Sequence, residues 1–165
     1  MSLRIRYAEQ SDLAALTEIY NHYVLHTAAT FDITQFDVTE RQAWFDHYAR
    51  SGPHRLLVAV DGSTVVGYAS SSRFRPKPAY DTSIEVTIYL HPGATGGGVG
   101  SALYERLFAE LRDEGLHRAY AGIAVPNPAS IALHRKFGFV EVGTLTQAGR
   151  KFDAWWDVLW MECAL

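Results

Sequence analysis

An apolar strand-like run, SIEVTIYL, leads through His91-Pro92 into five glycines within the eight positions 93–100, and these run straight into the amphipathic stretch VGSALYERL. This strand–glycine turn–helix junction constrains the chain more than any other feature. Glycine permits left-handed turns and lets backbone amides approach another molecule closely. The first amides of a helix have no partner within it, and the helix dipole favours negative charge beside them. Such a junction is a cradle for phosphate. Three patterns compete for it. A Walker A loop requires Lys-Ser/Thr after its last glycine, and here Val99-Gly100-Ser101 follows Gly98. A dinucleotide fingerprint, G-x-G-x-x-G, meets serine at its last place in Gly96-Gly97-Gly98-Val99-Gly100-Ser101. It also requires an acidic residue ending the second strand, where Ala124-Val125 stands. The third pattern, [Q/R]-x-x-G-x-[G/A] between a mid-chain strand and a helix, is met at both glycine places by Thr95 to Gly100. A flexible loop without a ligand is the remaining alternative.

Around this junction the hydrophobic periods alternate between two and 3.6. LRIRY (Leu3 to Tyr7) predicts a strand, and Ser11 or Asp12 a helix cap. Leu13, Leu16, Ile19, Tyr20, Tyr23 and Val24 then recur at helical spacing. HTAATFDITQFD has no period and predicts a loop, followed by a second helix from about Thr39 to Tyr48. Two apolar runs around Asp61-Gly62 predict a hairpin. The proline-broken basic loop RFRPKPAY precedes a strand from Thr82 to Leu90. The glycine-fed helix is expected to end near Glu114, with Gly115 beyond it. RAYAGIAV predicts a strand, and NPAS a helix start with Asn127 as cap and Pro128 in the first turn. The last segment, Phe139 to Leu165, predicts two strands around the bend GRKFDA. The mixture points to the α+β class, with a mixed, largely antiparallel sheet.

A length of 165 residues predicts a single domain, 1–165. The net charge of −3 is spread without blocks, which argues against nucleic-acid and anionic-membrane partners. Cys163 is the one cysteine, so an internal disulfide and a cysteine-based metal cluster are excluded. The seven histidines show no metal-ligand spacing; His22 and His26 stand four apart without a third ligand. MSLRIRYAEQ lacks the apolar core of a secretory signal, and no apolar run is long enough for a membrane helix. A cytoplasmic location is the expectation.

The segments HPGATGGGVGSAL and NPASIALHRKFGF, taken together, resemble the GNAT superfamily of N-acetyltransferases. The second is similar to that family's N-x-x-[AS]-[IV]-x-L-[Y/H]-x-x-x-G-[F/Y]. The two motifs span about Glu85 to Val142. A narrower similarity runs along nearly the whole chain, in IYNHYVLHTAATFD, GYASSSRFRPKPAYDTSIEVTIYLHP and GRKFDAWWDVLWM. It is to the phosphinothricin and methionine sulfoximine acetyltransferase group. That group's cradle has the form R-G-R-G-x-G, and here Thr95 and Gly97 replace both arginines. The resemblance implies a GNAT-like sheet flanked by about four helices, acetyl-CoA as co-substrate without a metal, and a homodimer. It implies direct acetyl transfer to the amine of a small amino-acid-like molecule. A protein N-terminus or another amine as acceptor, and a CoA-binding module without turnover, are the alternatives.

Carried onto this chain, the resemblance implies roles residue by residue. Amides of Gly96, Gly97, Gly98, Val99, Gly100 and Ser101 would hold the pyrophosphate, and backbone groups of Ile88, Tyr89 and Leu90 the pantetheine arm. The Leu90 amide would meet the developing oxyanion. Asn127 is a pantetheine contact or a plain helix cap, and Lys136 a CoA-phosphate contact or a solvated lysine. His134 stands where many relatives carry a tyrosine that protonates the thiolate. Glu85 stands out on chemistry alone: a carboxylate inside an apolar strand is costly unless paired or used, and burial raises its pKa toward that of a general base. A salt-bridged structural role is its alternative. Arg75 and Lys77, with Pro76 between them in a loop that also carries Arg73, are expected to bind an acceptor carboxylate or polar group. Val86, Thr87 and Phe31 complete the expected acceptor pocket. Trp155, Trp156 and Trp160 are expected in the core or at a dimer contact.

Overall fold

Alternation along single strands sorts the side chains of this chain into two cores. In LLVAVD, Leu57 and Ala59 point to one face, while Leu56, Val58 and Val60 point to the other, and all five are buried. A strand buried on both faces has to lie between two layers. The structure, a computed structural model, describes residues 2–165. The order of elements is β1 (Leu3–Tyr7), α1 (Leu13–His26), α2 (Val38–Phe45), β2 (Leu56–Asp61), β3 (Thr64–Arg73), β4 (Ser83–Leu90), α3 (Val99–Leu111), β5 (Arg118–Val125), α4 (Pro128–Lys136), β6 (Val140–Lys151) and β7 (Ala154–Ala164). The strands form one seven-stranded sheet in the order β1-β2-β3-β4-β5-β7-β6. Every neighbouring pair is antiparallel except β4 with β5. This is the α+β arrangement expected, with four α-helices on the sheet's two faces.

α3 and α4 cover one face. Leu103, Leu107 and Leu111 of α3 pack with Ile84 and Val86 of β4 and with Leu159 and Met161 of β7. α1 and α2 cover the other, where Leu16 and Ile19 meet Val58, Val60 and Tyr68 beside Trp44. Cys163 is a buried part of the α3 core, and burial pushes its thiol pKa up to about 11, as suits a core filler.

Element boundaries depart from expectation where a side chain has a better partner than the local signal supplies. Asp12 precedes α1 but makes no side-chain cap. Its carboxylate instead takes both guanidinium nitrogens of Arg6, at 2.6 and 2.8 Å, and the amide of Glu9 at 2.8 Å. α2 runs over Val38–Phe45 and stops short of Tyr48, with Asp37 as cap. α3 ends at Leu111 rather than near Glu114, because Glu114 turns back to pair with buried Arg55. Gly115 follows at φ +70°. Between β6 and β7 only Phe152 and Asp153 form the turn; Gly149, Arg150 and Lys151 belong to the strand.

Candidate active site

β4 and β5 pair at only three positions, from Ser83–Arg118 to Glu85–Tyr120. Beyond Glu85 both strands continue, and Val86 to Leu90 and Ala121 to Ala124 line opposite sides of a cleft of about 540 Å³. The ladder to β3 decides which backbone groups point into it. His91 N–H donates to the Val66 carbonyl at 2.9 Å, and antiparallel pairs alternate between bonded and unbonded. Leu90 and Ile88 therefore turn their amides and carbonyls away from β3, toward the cleft. The Leu90 carbonyl is taken there by the hydroxyl of Tyr23, from α1, at 2.6 Å.

The wall on the α3 side is the glycine cradle. Gly98 begins α3 at φ +78° with no capping side chain, and Gly96 stands at φ +79°. Ala102 N–H makes the first bond within the helix, to the Gly98 carbonyl, so the amides of Val99, Gly100 and Ser101 precede that ladder. A Cβ on Gly100 would sit 3.2 Å from Leu133, which lines the same cleft. Thr95, Gly96, Gly98, Gly100 and Ser101 all border the cleft. Gly97 is exposed, and the Val99 side chain is in the core, leaving only its amide to the cradle. Unpartnered amides on a glycine-lined wall beside an open cleft fit a phosphate-bearing molecule. Lys136 reaches across from the end of α4 to donate to Ser101 Oγ at 2.8 Å, which puts a cation beside a cradle without arginines.

Asn127 caps α4, its Oδ1 accepting from Ser130 N at 3.1 Å, and it also borders the cleft. Both expected readings of this residue are thus compatible with one geometry, since its Nδ2 has no partner among the described residues. His134 is buried on the same wall. Its Nδ1 lies 2.7 Å from the Ser130 carbonyl and its Nε2 2.9 Å from the Tyr104 hydroxyl. A carbonyl only accepts, so Nδ1 carries the proton and Nε2 accepts from Tyr104. Burial lowers the His134 pKa, against the Ser130 carbonyl, and favours the neutral ring. Tyr104 is fully buried, and burial raises its pKa strongly.

The opposite face of β4 carries Glu85, Thr87 and Tyr89. Thr87 Oγ1 and Ser70 Oγ share a hydrogen bond of 2.8 Å, and Thr87 and Tyr89 line the cleft. Glu85, in the last paired position before the strands part, is half-buried with no hydrogen bond or ion pair among the described residues. Burial raises its pKa, and Arg75 opposes that rise. The Arg75 guanidinium lies over Phe74, 4.4 Å from the ring centre, and 5.5 Å from that of Trp160. Phe74 in turn stacks on Tyr120 at 4.2 Å. Trp160 lies against Gly122 of the cleft wall, where a Cβ would come within 3.2 Å of the indole. Trp160 thus packs against the cleft wall at Gly122 and beside Arg75. Pro76 and Lys77 stay on the exposed loop. Phe31 does not line the cleft; its ring packs on Gly149 of β6.

Two tyrosines of this site escape a reading of the sequence alone. Tyr23 and Tyr104 fall on helical spacings that mark core positions. The available cue is that a buried tyrosine needs a partner for its hydroxyl. Among the described residues no group of three or more His, Cys, Asp or Glu is arranged to hold a metal ion, and no helix is long and apolar enough to cross a membrane.

Residues 15–139 match the Acetyltransferase (GNAT) family, and the chain belongs to it. It is 51% identical over 162 residues to a phosphinothricin N-acetyltransferase of Streptomyces coelicolor, covering 97% of this chain and 95% of that one. It is 39% identical over 163 residues to an L-methionine sulfoximine/L-methionine sulfone acetyltransferase of Salmonella typhimurium, covering 99% and 95%. The crystal structure of a GNAT superfamily phosphinothricin acetyltransferase from Sinorhizobium meliloti, in complex with AcCoA, superposes with a TM-score of 0.94 at 36% identity, over 100% of this chain and 89% of that one.

Proposed function

We propose that this acetyltransferase moves the acetyl group of acetyl-CoA directly to the amine of a small amino-acid-like acceptor, of the phosphinothricin or methionine sulfoximine/sulfone type. One observation carries the reading: Glu85 is an unpaired, half-buried carboxylate at the point where β4 and β5 part, with Arg75 as the cation that influences it. An amine must lose a proton as it becomes an amide. A carboxylate whose pKa is raised by burial is suited to take that proton, directly or through one water. When bound, acetyl-CoA supplies an acetyl group activated as a thioester. The nitrogen–carbon bond forms, the carbon–sulfur bond breaks, and the proton lost by the amine is balanced by one gained at sulfur.

The chain's own groups divide that work. The amides of Gly96 to Ser101 and the Lys136 ammonium hold phosphate, and Asn127 Nδ2 and the cleft-facing groups of Ile88 hold the pantetheine arm. The Leu90 amide stabilises negative charge on the reacting carbonyl oxygen, while Tyr23 holds the following peptide through the Leu90 carbonyl. His134 Nδ1–H is held by the Ser130 carbonyl and its Nε2 accepts from Tyr104, so neither side chain presents a free proton to the cleft, and the proton for sulfur comes from a water in the cleft. Arg75 presents a planar fork to the acceptor's carboxylate, with Lys77 beside it on the same loop. The relatives named for phosphinothricin and for methionine sulfoximine and sulfone support this acceptor class.

The implied homodimer has a surface to use. β6 is an edge strand, and Val140, Val142 and Leu145 on it are 61%, 58% and 52% exposed. An exposed apolar edge is a template for association. Sedimentation at twice the chain mass is the expected outcome; a monomer at micromolar concentration contradicts it.

Thiol release from acetyl-CoA, followed with phosphinothricin, methionine sulfoximine, methionine sulfone, polyamines and short peptides, tests the function. Turnover with the amino acid analogues and none with polyamines is expected. A preference for peptides moves the acceptor to a protein N-terminus. Silence with every acceptor despite CoA binding makes the chain a binding module.

A further inference from the structure

Lys151, the last residue of β6, is 4% exposed, and its ammonium bonds only to carbonyls. Nζ donates to the Thr30 carbonyl at 2.9 Å and to that of Tyr23 at 3.4 Å. No carboxylate comes within ion-pair distance among the described residues; burial lowers its pKa, and Asp32 opposes that. Burying an ammonium is costly, so such a placement needs a return. The lysine crosses from the tip of the β6–β7 hairpin to the end of α1 and the segment 27–32 beyond it.

Three separate observations show how firmly this junction is held. Phe152 and Asp153, in the turn after Lys151, both stand in left-handed conformation, at φ +53° and +56°, which side-chain-bearing residues seldom adopt. The Trp156 indole locks that turn by donating to the Lys151 carbonyl at 2.9 Å. Gly149 lies so close to the Phe31 ring that a Cβ there would overlap it. β6 thus grips the segment 27–32 twice, at the Thr30 carbonyl and at Phe31. From inside, the Tyr20 hydroxyl bonds Asp32 and, at 2.8 Å, Thr30 Oγ1. What is gripped is cleft wall. Ala29 lines the cleft, and Tyr23, whose carbonyl faces Lys151, sets its hydroxyl on the Leu90 carbonyl within it.

We propose that Lys151 is a positioning residue for the cleft: it ties the β6–β7 tip to the carbonyls at the end of α1 and so holds Ala29, Tyr23 and Leu90 in register. Its effect on turnover rests on the function proposed above, in which the Leu90 amide meets the reacting carbonyl oxygen.

Steady-state kinetics of Lys151→Met, Lys151→Arg and Gly149→Ala, together with hydrogen exchange of residues 27–32 without ligands, test it. Lys151→Met should lower kcat about ten-fold and leave both KM values within about two-fold, with faster exchange confined to 27–32. Lys151→Arg, which keeps the charge, should recover part of both effects. Gly149→Ala displaces Phe31 without touching the lysine and should give the same pair of effects. Unchanged exchange at 27–32 in both Lys151→Met and Gly149→Ala overturns the proposal, as does an unchanged kcat in both. If no acceptor is turned over by the unmodified enzyme, the proposed function fails, and hydrogen exchange still decides the role of Lys151.

Discussion

Glu85 and Arg75 illustrate how one charge can be held ready for use without being neutralised. Arg75 is near enough to lower the carboxylate's pKa, yet its guanidinium rests on Phe74 and Trp160 and makes no ion pair with Glu85. The balance has a stability consequence. Glu85 binds a proton more tightly folded than unfolded, so it costs nothing below the ordinary carboxylate range and costs stability as pH rises through its raised pKa. Glu85→Gln should therefore melt above the wild type at about pH 8, with the gain vanishing near pH 4, as thermal unfolding at the two pH values will show. Arg75→Ala should raise the acceptor KM roughly ten-fold and leave that for acetyl-CoA nearly unchanged; the opposite split would move Arg75 to the CoA side. At this scale Glu85 was legible because a lone carboxylate in an apolar strand has few explanations. The hydrogen bond of Tyr104 to His134 was not, because a tyrosine on a helical spacing looks like packing until its hydroxyl's partner is seen. Phe31 packs on Gly149 instead of lining the cleft, for a different reason: a period-free loop gives no direction to its side chains.

Among the elements, the α3 start does the most with the least. Its amides are freed by two left-handed glycines, and no Cβ at Gly98 would meet a neighbour within 4 Å. Replacing Gly98 by alanine is therefore a test of backbone conformation alone. Gly98→Ala should cost roughly 1–2 kcal/mol, read as a lower melting temperature, and should weaken CoA binding measured by calorimetry more than it alters the acceptor KM. Gly and Pro punctuation made this turn, the β2–β3 hairpin and the α4 start visible in advance. The end of α3 was not, since Glu114 is claimed by Arg55 from another part of the chain, and local signals contain no distant partners. Lys136 stands beside the cradle that lacks arginines, donating to Ser101 Oγ.

On the scale of the molecule, the sheet holds two cores apart and lets one parallel pair open between them. Arg55 pins the arrangement from behind. Its guanidinium, 5% exposed, pairs with Glu114 of the α3 end, donates to the Tyr7 hydroxyl at 2.7 Å and takes the Gly52 carbonyl at 2.6 Å. Arg55→Met should cost on the order of 3 kcal/mol, a fall in melting temperature of roughly 6–12 °C, while the KM values of the folded enzyme stay unchanged. The alternating periods made the class of fold legible. The splay that creates the cleft was not, because strand periodicity says which face a residue takes and nothing of where two strands part. The central claim is that Glu85 accepts the proton of the attacking amine in that opening. It is tested most directly by the pH dependence of kcat/KM with methionine sulfone for the wild type and Glu85→Gln. The account predicts a wild-type rate that climbs through the raised Glu85 pKa, and a variant about 100-fold slower whose profile lacks that limb and follows the amine alone. Superimposable profiles for the two enzymes would contradict it.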